Sequence, residues 1–171
     1  MSVNYVITFI GDDQTGIVGA LAAVIEKHGG NWLESQLSKL GGKFAGLILV
    51  ALPEQNISDL HAELKTLRGG EWSVRITATD TVATSPCTAN LTLSILGPDR
   101  PGIIKEVSRA LAQANINVIS LESNVESAAF TGEAVFRAEI GAHAPDDQDI
   151  RTIEGQLDAI AEAMTLDIDI R

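Results

Sequence analysis

Gly11-Asp12-Asp13-Gln14-Thr15-Gly16-Ile17-Val18 returns 86 residues later as Gly97-Pro98-Asp99-Arg100-Pro101-Gly102-Ile103-Ile104. The same offset carries Asn31 onto Asn117, and Phe44-Ala45-Gly46 onto Phe130-Thr131-Gly132. Three landmarks at one offset describe a tandem duplication. A chain of 171 residues is too short for a solenoid, which needs three or more units, and suits two small domains. The expected domains are residues 1–80 and 89–171, joined by a polar linker, 81–88, that holds Thr84, Ser85 and Pro86. Each half is small, so packing between the halves is expected to add stability.

The order of elements is clearest in the second copy. Leu91, Leu93 and Ile95 alternate with Thr92 and Ser94, the period of a half-buried strand. The Gly97–Gly102 stretch breaks it. Ile103, Ile104, Val107, Leu111 and Ala114 then recur at helical spacing, and Asn115 stops the helix. Asn117 to Val125 and Phe130 to Ile140 read as two strands joined by a short hairpin. Ala144-Pro145-Asp146-Asp147 opens a second helix, marked by Ile150, Ile153, Leu157 and Ile160. Leu166, Ile168 and Ile170 alternate as a last strand. The first copy repeats this, with Gly29-Gly30 as a left-handed helix stop and a strand pair around Gly41-Gly42. The order β-α-β-β-α-β predicts an α+β fold: two tandem ferredoxin-like domains, each an antiparallel four-stranded sheet with both helices on one face. Right-handed crossovers place the first and third strands in the centre. A bare module exposes two sheet edges and one sheet face, so edge-to-edge or face-to-face pairing of modules is expected.

The strand-to-helix turn is the candidate site. In both copies it reads Gly-x-Asp-x-x-Gly-Ile. The second glycine is read as allowing close backbone approach, the aspartate as the helix N-cap, and Pro101 as a first-turn residue. Free N–H groups and the helix dipole there suit a carboxylate. Asp13 or Asp99, or an asparagine carbonyl, suits an ammonium. Asn31 and Asn117 open the second strand, at the far end of the helix from the loop. They reach a loop only if a second module lies inverted beside the first, and a pseudo-twofold pair would then make composite pockets. The alternative stays open that Asp only caps, Gly only turns and Asn only stops a helix.

The totals exclude several functions. Net charge is −11 and pI about 4.5. Residues 1–89 hold six basic and nine acidic side chains; residues 90–171 hold six and fourteen. That balance argues against direct nucleic-acid binding, which relies on Lys and Arg neutralising phosphates. It fits a soluble surface or a basic protein partner. Cys87 is the only cysteine, so there is no internal disulfide. With no signal peptide and no apolar run of membrane-spanning length, a cytoplasmic location is expected. His28, His61 and His143 are isolated, the first two on helices and the third in a loop, so no metal site is expected. There is no nucleophile elbow or phosphate loop, and Cys87 has no charged neighbour within three residues. Neither catalysis nor a cofactor is expected.

Gly97–Ile104 followed by Asn115-Ile116-Asn117-Val118 resembles the signature of ACT domains, small regulatory modules that commonly sense amino acids. The resemblance covers nearly the whole chain. Two such modules, with Ala142-His143-Ala144-Pro145 before a helix and a last strand, resemble the glycine cleavage system transcriptional repressor family. That resemblance implies a non-enzymatic regulator that responds to glycine and works through contact with a LysR-type activator. Glycine or serine is the expected effector, and a homo-oligomer, a dimer, the expected assembly. The ligand residues it implies are Asp13, Gly16, Ile17 and Asn31, with Asp99, Gly102, Ile103 and Asn117. Gln14-Thr15 replaces the Arg-Pro of the pattern in copy one. Trp32 follows Asn31 where Val118 follows Asn117; it suits a pocket wall or a core plug, and the plug is the favoured reading. ACT modules that serve only as dimerisation scaffolds, or as regulatory partners of amino-acid or one-carbon enzymes, are the alternative.

Overall fold

The computed structural model describes residues 2–79, 88–128, 132–145 and 150–171. Most of the expected linker with Cys87, the expected strand start at Phe130, and the helix opening at Asp146-Asp147 lie outside the described residues. The chain divides into two compact units, Met1–Thr84 and Ser85–Arg171.

The first unit contains β1 (Ser2–Asp12), α1 (Ile17–Lys27), β2 (Asn31–Leu40), β3 (Lys43–Pro53), α2 (Ile57–Lys65) and β4 (Ser73–Ala78). The second contains β5 (Leu91–Pro98), α3 (Ile103–Gln113), β6 (Asn117–Ser127), β7 (Ala134–His143), α4 (Ile150–Met164) and β8 (Asp167–Ile170). The sheets run β2-β3-β1-β4 and β6-β7-β5-β8, every pair antiparallel. This is the ferredoxin-like arrangement in duplicate.

Strand alternation decides which sheet face the helices cover. Tyr5, Ile7 and Phe9 are buried, and so are Ile48, Val50 and Leu52, with Ile7 opposite Ile48 and Tyr5 opposite Val50. α1 lays Ile17, Leu21, Val24 and Ile25 on that face, and α2 adds Leu60 and Leu64. These sit at helical spacing, and each buried aliphatic side chain stabilises by about 1.5–3 kcal/mol. Trp32 is partly buried against this core, so it plugs. The second unit repeats the plan with Leu91, Leu93 and Ile95 under Ile103, Val107, Leu111, Ile153 and Leu157.

Both first helices stop in the same way. Gly29 and Asn115 have φ of 74° and 54°. Gly30 N–H bonds Ile25 O at 2.9 Å, and Ile116 N–H bonds Leu111 O at 2.9 Å. This is the long bond of a Schellman stop. Asparagine tolerates the left-handed region better than other residues with a side chain.

The repeat is not held at one offset. Gly11 pairs with Phe44, and Gly97 pairs with Phe136. β7 is thus shifted by six residues relative to β3, and Phe136, not Phe130, matches Phe44. The Phe-x-Gly likeness at offset 86 is a coincidence beside a longer hairpin. The offset of 86 holds from β1 through β2 and fails beyond it. The bulge in β2 after Trp32 and that in β6 after Val118 still keep it.

The two helices of the first unit are clamped at one end. Lys27 Nζ donates to both Glu63 oxygens, at 2.9 and 2.8 Å, and His28 Nε2 lies 2.8 Å from Oε2. Hydrogen bonds from Lys27 and His28 hold the Glu63 carboxyl below its ordinary range. A depressed carboxyl stabilises the fold above its unfolded pKa, and this is lost as pH falls through the folded value. Glu63→Gln is therefore expected to melt below the parent at pH 7, with the gap closing as the pH falls below the ordinary carboxylate range. A gap independent of pH would contradict this origin.

Candidate functional site

The two Gly-x-Asp-x-x-Gly turns have the same backbone and different surroundings. Gly16 and Gly102 are the N-caps of α1 and α3, with φ of 81° and 99°. Neither helix has a side-chain cap. The aspartates are not N-caps, since they lie three residues earlier and Gly16 and Gly102 take that position. Pro101 precedes the cap and is not in the first turn. The left-handed glycine lets the chain reverse from strand to helix with no cap side chain. It also drops Ile17 and Ile103 into the core, at 3% and 2% exposure. At those two residues only the backbone is available to a ligand.

Close approach belongs to the first glycine of each turn. A Cβ on Gly11 would lie 2.4 Å from Trp72 Cε3, and one on Gly97 would lie 2.7 Å from Leu166 Cδ2. Trp72 is buried, packs tilted against Phe9 with ring centroids 5.8 Å apart and donates its Nε1–H to Leu67 O at 3.2 Å. The second glycine is needed for its φ. A Cβ on Gly102 would meet nothing within 4 Å, and one on Gly16 would meet only the far end of Arg68, at 3.0 Å.

Each aspartate is pinned through its own backbone to the third strand or the turn before it. Asp13 N–H bonds Gly42 O at 3.1 Å, and Asp99 N–H bonds Ala134 O at 2.9 Å. There the likeness ends. Asp13 is ion-paired with Lys39, and Asp12 with Lys43. Arg68 Nη1 donates to Thr15 O at 2.7 Å, and Ile17 N–H bonds Gln14 O at 3.2 Å. The first loop is thus closed by its own unit. Asp99 is exposed and, among the described residues, its carboxylate has no ion pair. No bond matching Ile17–Gln14 forms at Ile103. Among the described residues, neither the Ile103 N–H nor the Asp99 carboxylate has the partner that its counterpart has in the first loop.

The asparagines stand elsewhere. Asn31 is opposite Ala51 on β3, while Asp12 is opposite Lys43, eight residues along the strand. At about 3.3 Å per residue that is ~26 Å. Asn117 is opposite His143 and Pro98 opposite Val135, the same separation. No single unit brings loop and asparagine together. Both asparagines begin edge strands and are exposed, and neither stops a helix. Two surface depressions, of about 680 and 290 Å³, lie on the sheet faces away from the helices, and neither is lined by a residue of either loop.

The histidines are structural. His28 is in the Glu63 clamp, and His61 Nε2 lies 2.9 Å from Val74 O. His143 ends β7 and is not in a loop, with Nδ1 3.1 Å from Thr88 O. Among the described residues no group of His, Cys, Asp and Glu is placed to hold a metal ion. None of the described helices is long and apolar enough to cross a membrane. Sequence reasoning missed Lys39, Lys43 and Arg68. The lysines flank Gly41-Gly42, so a hairpin there delivers them to the end of β1. Arg68 comes from the turn after α2, and no local pattern points to it.

Residues 4–76 and residues 91–158 each match the profile of the ACT domain. The chain belongs to the ACT-domain family. Its two ACT domains are 27% identical over 157 residues to the glycine cleavage system transcriptional repressor of Escherichia coli (strain K12), covering 91% of this chain and 82% of that one. The Shigella flexneri repressor matches equally well. The crystal structure of an unknown protein from Galdieria sulphuraria superposes with a TM-score of 0.85 at 26% identity, over 100% of this chain and 98% of that one. The fold is shared as well with a candidate glycine cleavage system transcriptional repressor, with a TM-score of 0.72 at 19% identity, over 100% and 97% of the two chains.

The ACT turns give opposite demands on their two glycines. Gly11→Ala is expected to lower stability by about 1–3 kcal/mol through overpacking against Trp72. Gly102→Ala is expected to cost about 1–2 kcal/mol through its backbone alone. Denaturant melts of both variants, with Trp72→Leu as a background, check this. The background should relieve Gly11→Ala and leave Gly102→Ala unchanged.

Proposed function

We propose that this ACT-domain protein is a non-catalytic, cytoplasmic regulator that responds to a small amino acid, glycine or serine, seated at the turn of the second domain. The observation that carries the reading is the contrast between Asp99 and Asp13. A free carboxylate beside open helix N–H groups suits a zwitterion, the ammonium on Asp99 and the carboxylate on the backbone from Gly102 and Ile103 onward. Asp13, Gly16 and Ile17 have the same frame, but lysines and Arg68 already use it. We assign them the weaker role. Asn31 and Asn117 join a ligand only where an inverted second ACT unit brings one within reach of a loop.

The similarity to the Escherichia coli repressor supports regulation of the glycine cleavage system. The acidic surface supports control through a protein, a LysR-type activator, with DNA contact left to that partner. A purely dimerising scaffold, or a regulatory partner of an amino-acid or one-carbon enzyme, is the competing reading. It predicts no ligand effect.

A thermal-shift panel of the twenty amino acids separates them, because a ligand that binds only the native state raises the melting temperature. Glycine or serine should raise it. Asp99→Ala should abolish the rise, and Asp13→Ala should leave it nearly intact. A rise that survives Asp99→Ala would place the ligand elsewhere, and no rise with any amino acid would favour the scaffold.

A further inference from the structure

The sheet face turned away from the helices differs sharply between the two domains. In the first, the register places Val6, Thr8 and Ile10 of β1 beside Leu49, Leu47 and Ala45 of β3 on that face. Ile10 is 48% exposed and Leu47 is 47% exposed. At the matching positions of the second domain stand Thr92, Ser94 and Leu96, beside Gly141, Glu139 and Arg137. Glu122 lies opposite Glu139, and Asp169 lies opposite Ser94 in the same row. The second domain shows that this frame folds with a polar outer face, as a sheet face meeting water commonly has. The first domain keeps an apolar one.

We infer that the outer face of the first domain docks onto the same face of a second copy of the chain. Two features select this occupant. The first is charge. Glu34, on edge strand β2, is opposite Leu49, and Arg75, on edge strand β4, is opposite Thr8, so both stand on the outer face. Neither has an ion pair among the described residues. A twofold axis along the strands lays β2 of one copy over β4 of the other. Glu34 then approaches the partner's Arg75, twice, offset by one pleat of about 7 Å, within reach of an arginine side chain. An axis across the strands would set glutamate over glutamate and arginine over arginine. The edge charges therefore choose between the two ways of stacking aligned sheets. The second feature is area. Four strands about 4.8 Å apart and about eight residues long present ~500 Å² of plane, so two copies cover ~1,000 Å² or more, at the lower end of specific interfaces. The depression of about 290 Å³ bordered by Val6, Leu47 and Leu49 has room for an incoming aliphatic side chain. The outer face of the second domain, with three acids in one row, repels such a pairing.

This dimer stands apart from ligand binding at Asp99, and its readout is mass. Sedimentation equilibrium of the full chain should show a dimer. Leu47→Glu should weaken it by at least ~100-fold by placing like charges in the interface, with the circular dichroism spectrum of the folded chain unchanged. Glu139→Ala, at the matching position of the second domain, should have no effect. Glu34→Arg and Arg75→Glu should each weaken the dimer, and the double variant should restore it. A chain that is monomeric at ~100 μM, or a dimer indifferent to Leu47→Glu, would overturn the proposal. A double variant weaker than either single one would overturn the twofold arrangement.

Discussion

One left-handed glycine at the head of each first helix fixes the geometry of its domain. Gly16 and Gly102 turn the central strand back over its own sheet, so that Ile17 and Ile103 enter the core in the first helical turn. Each domain can then bury a single sheet face under two helices. The cap carries no side chain, so no side chain caps the first helix N–H groups; in the first domain Gln14 O takes the Ile17 N–H. The opposite sheet face, the edge strands and the turn remain available, and these are the surfaces on which the two domains differ.

The differences are chemical, with little change in frame. Around the first turn, Lys39, Lys43 and Arg68 occupy the charges and carbonyls that the second turn leaves open. On the sheet, Leu47 and Leu49 of the first domain correspond to Glu139 and Gly141 of the second. One domain has a closed loop and an apolar face, and the other an open loop and a charged face. Duplicated domains under the same folding demands would not need to diverge at surface positions in this paired way. The proposed division of labour, in which the first domain assembles and the second senses, accounts for it.

Most of the fold was legible because alternation and helical spacing are local. Leu91, Leu93 and Ile95, or Ile103, Val107 and Leu111, declare their faces without reference to distant residues. The hairpin between β6 and β7 was not legible, because Phe130-Thr131-Gly132 imitates Phe44-Ala45-Gly46 at the offset that holds elsewhere. Only strand register shows that Phe136 is the true counterpart. The turn motif was found by its repetition, but close approach was read at the second glycine when the first one makes it. Close approach to Trp72 or Leu166 depends on side chains more than 60 residues away in sequence. For the same reason the capture of Thr15 by Arg68 carried no signal, and the two loops read as near equals.

The central claim is that the second domain alone has the open seat. Its most direct test is amide chemical-shift mapping of the full chain during titration with glycine and then serine. Saturable shifts are predicted at the amides of Gly102, Ile103, Ile104 and Asp99, with little change at Gly16, Ile17 and Val18. Equal shifts at both turns, or shifts confined to the first, would contradict it.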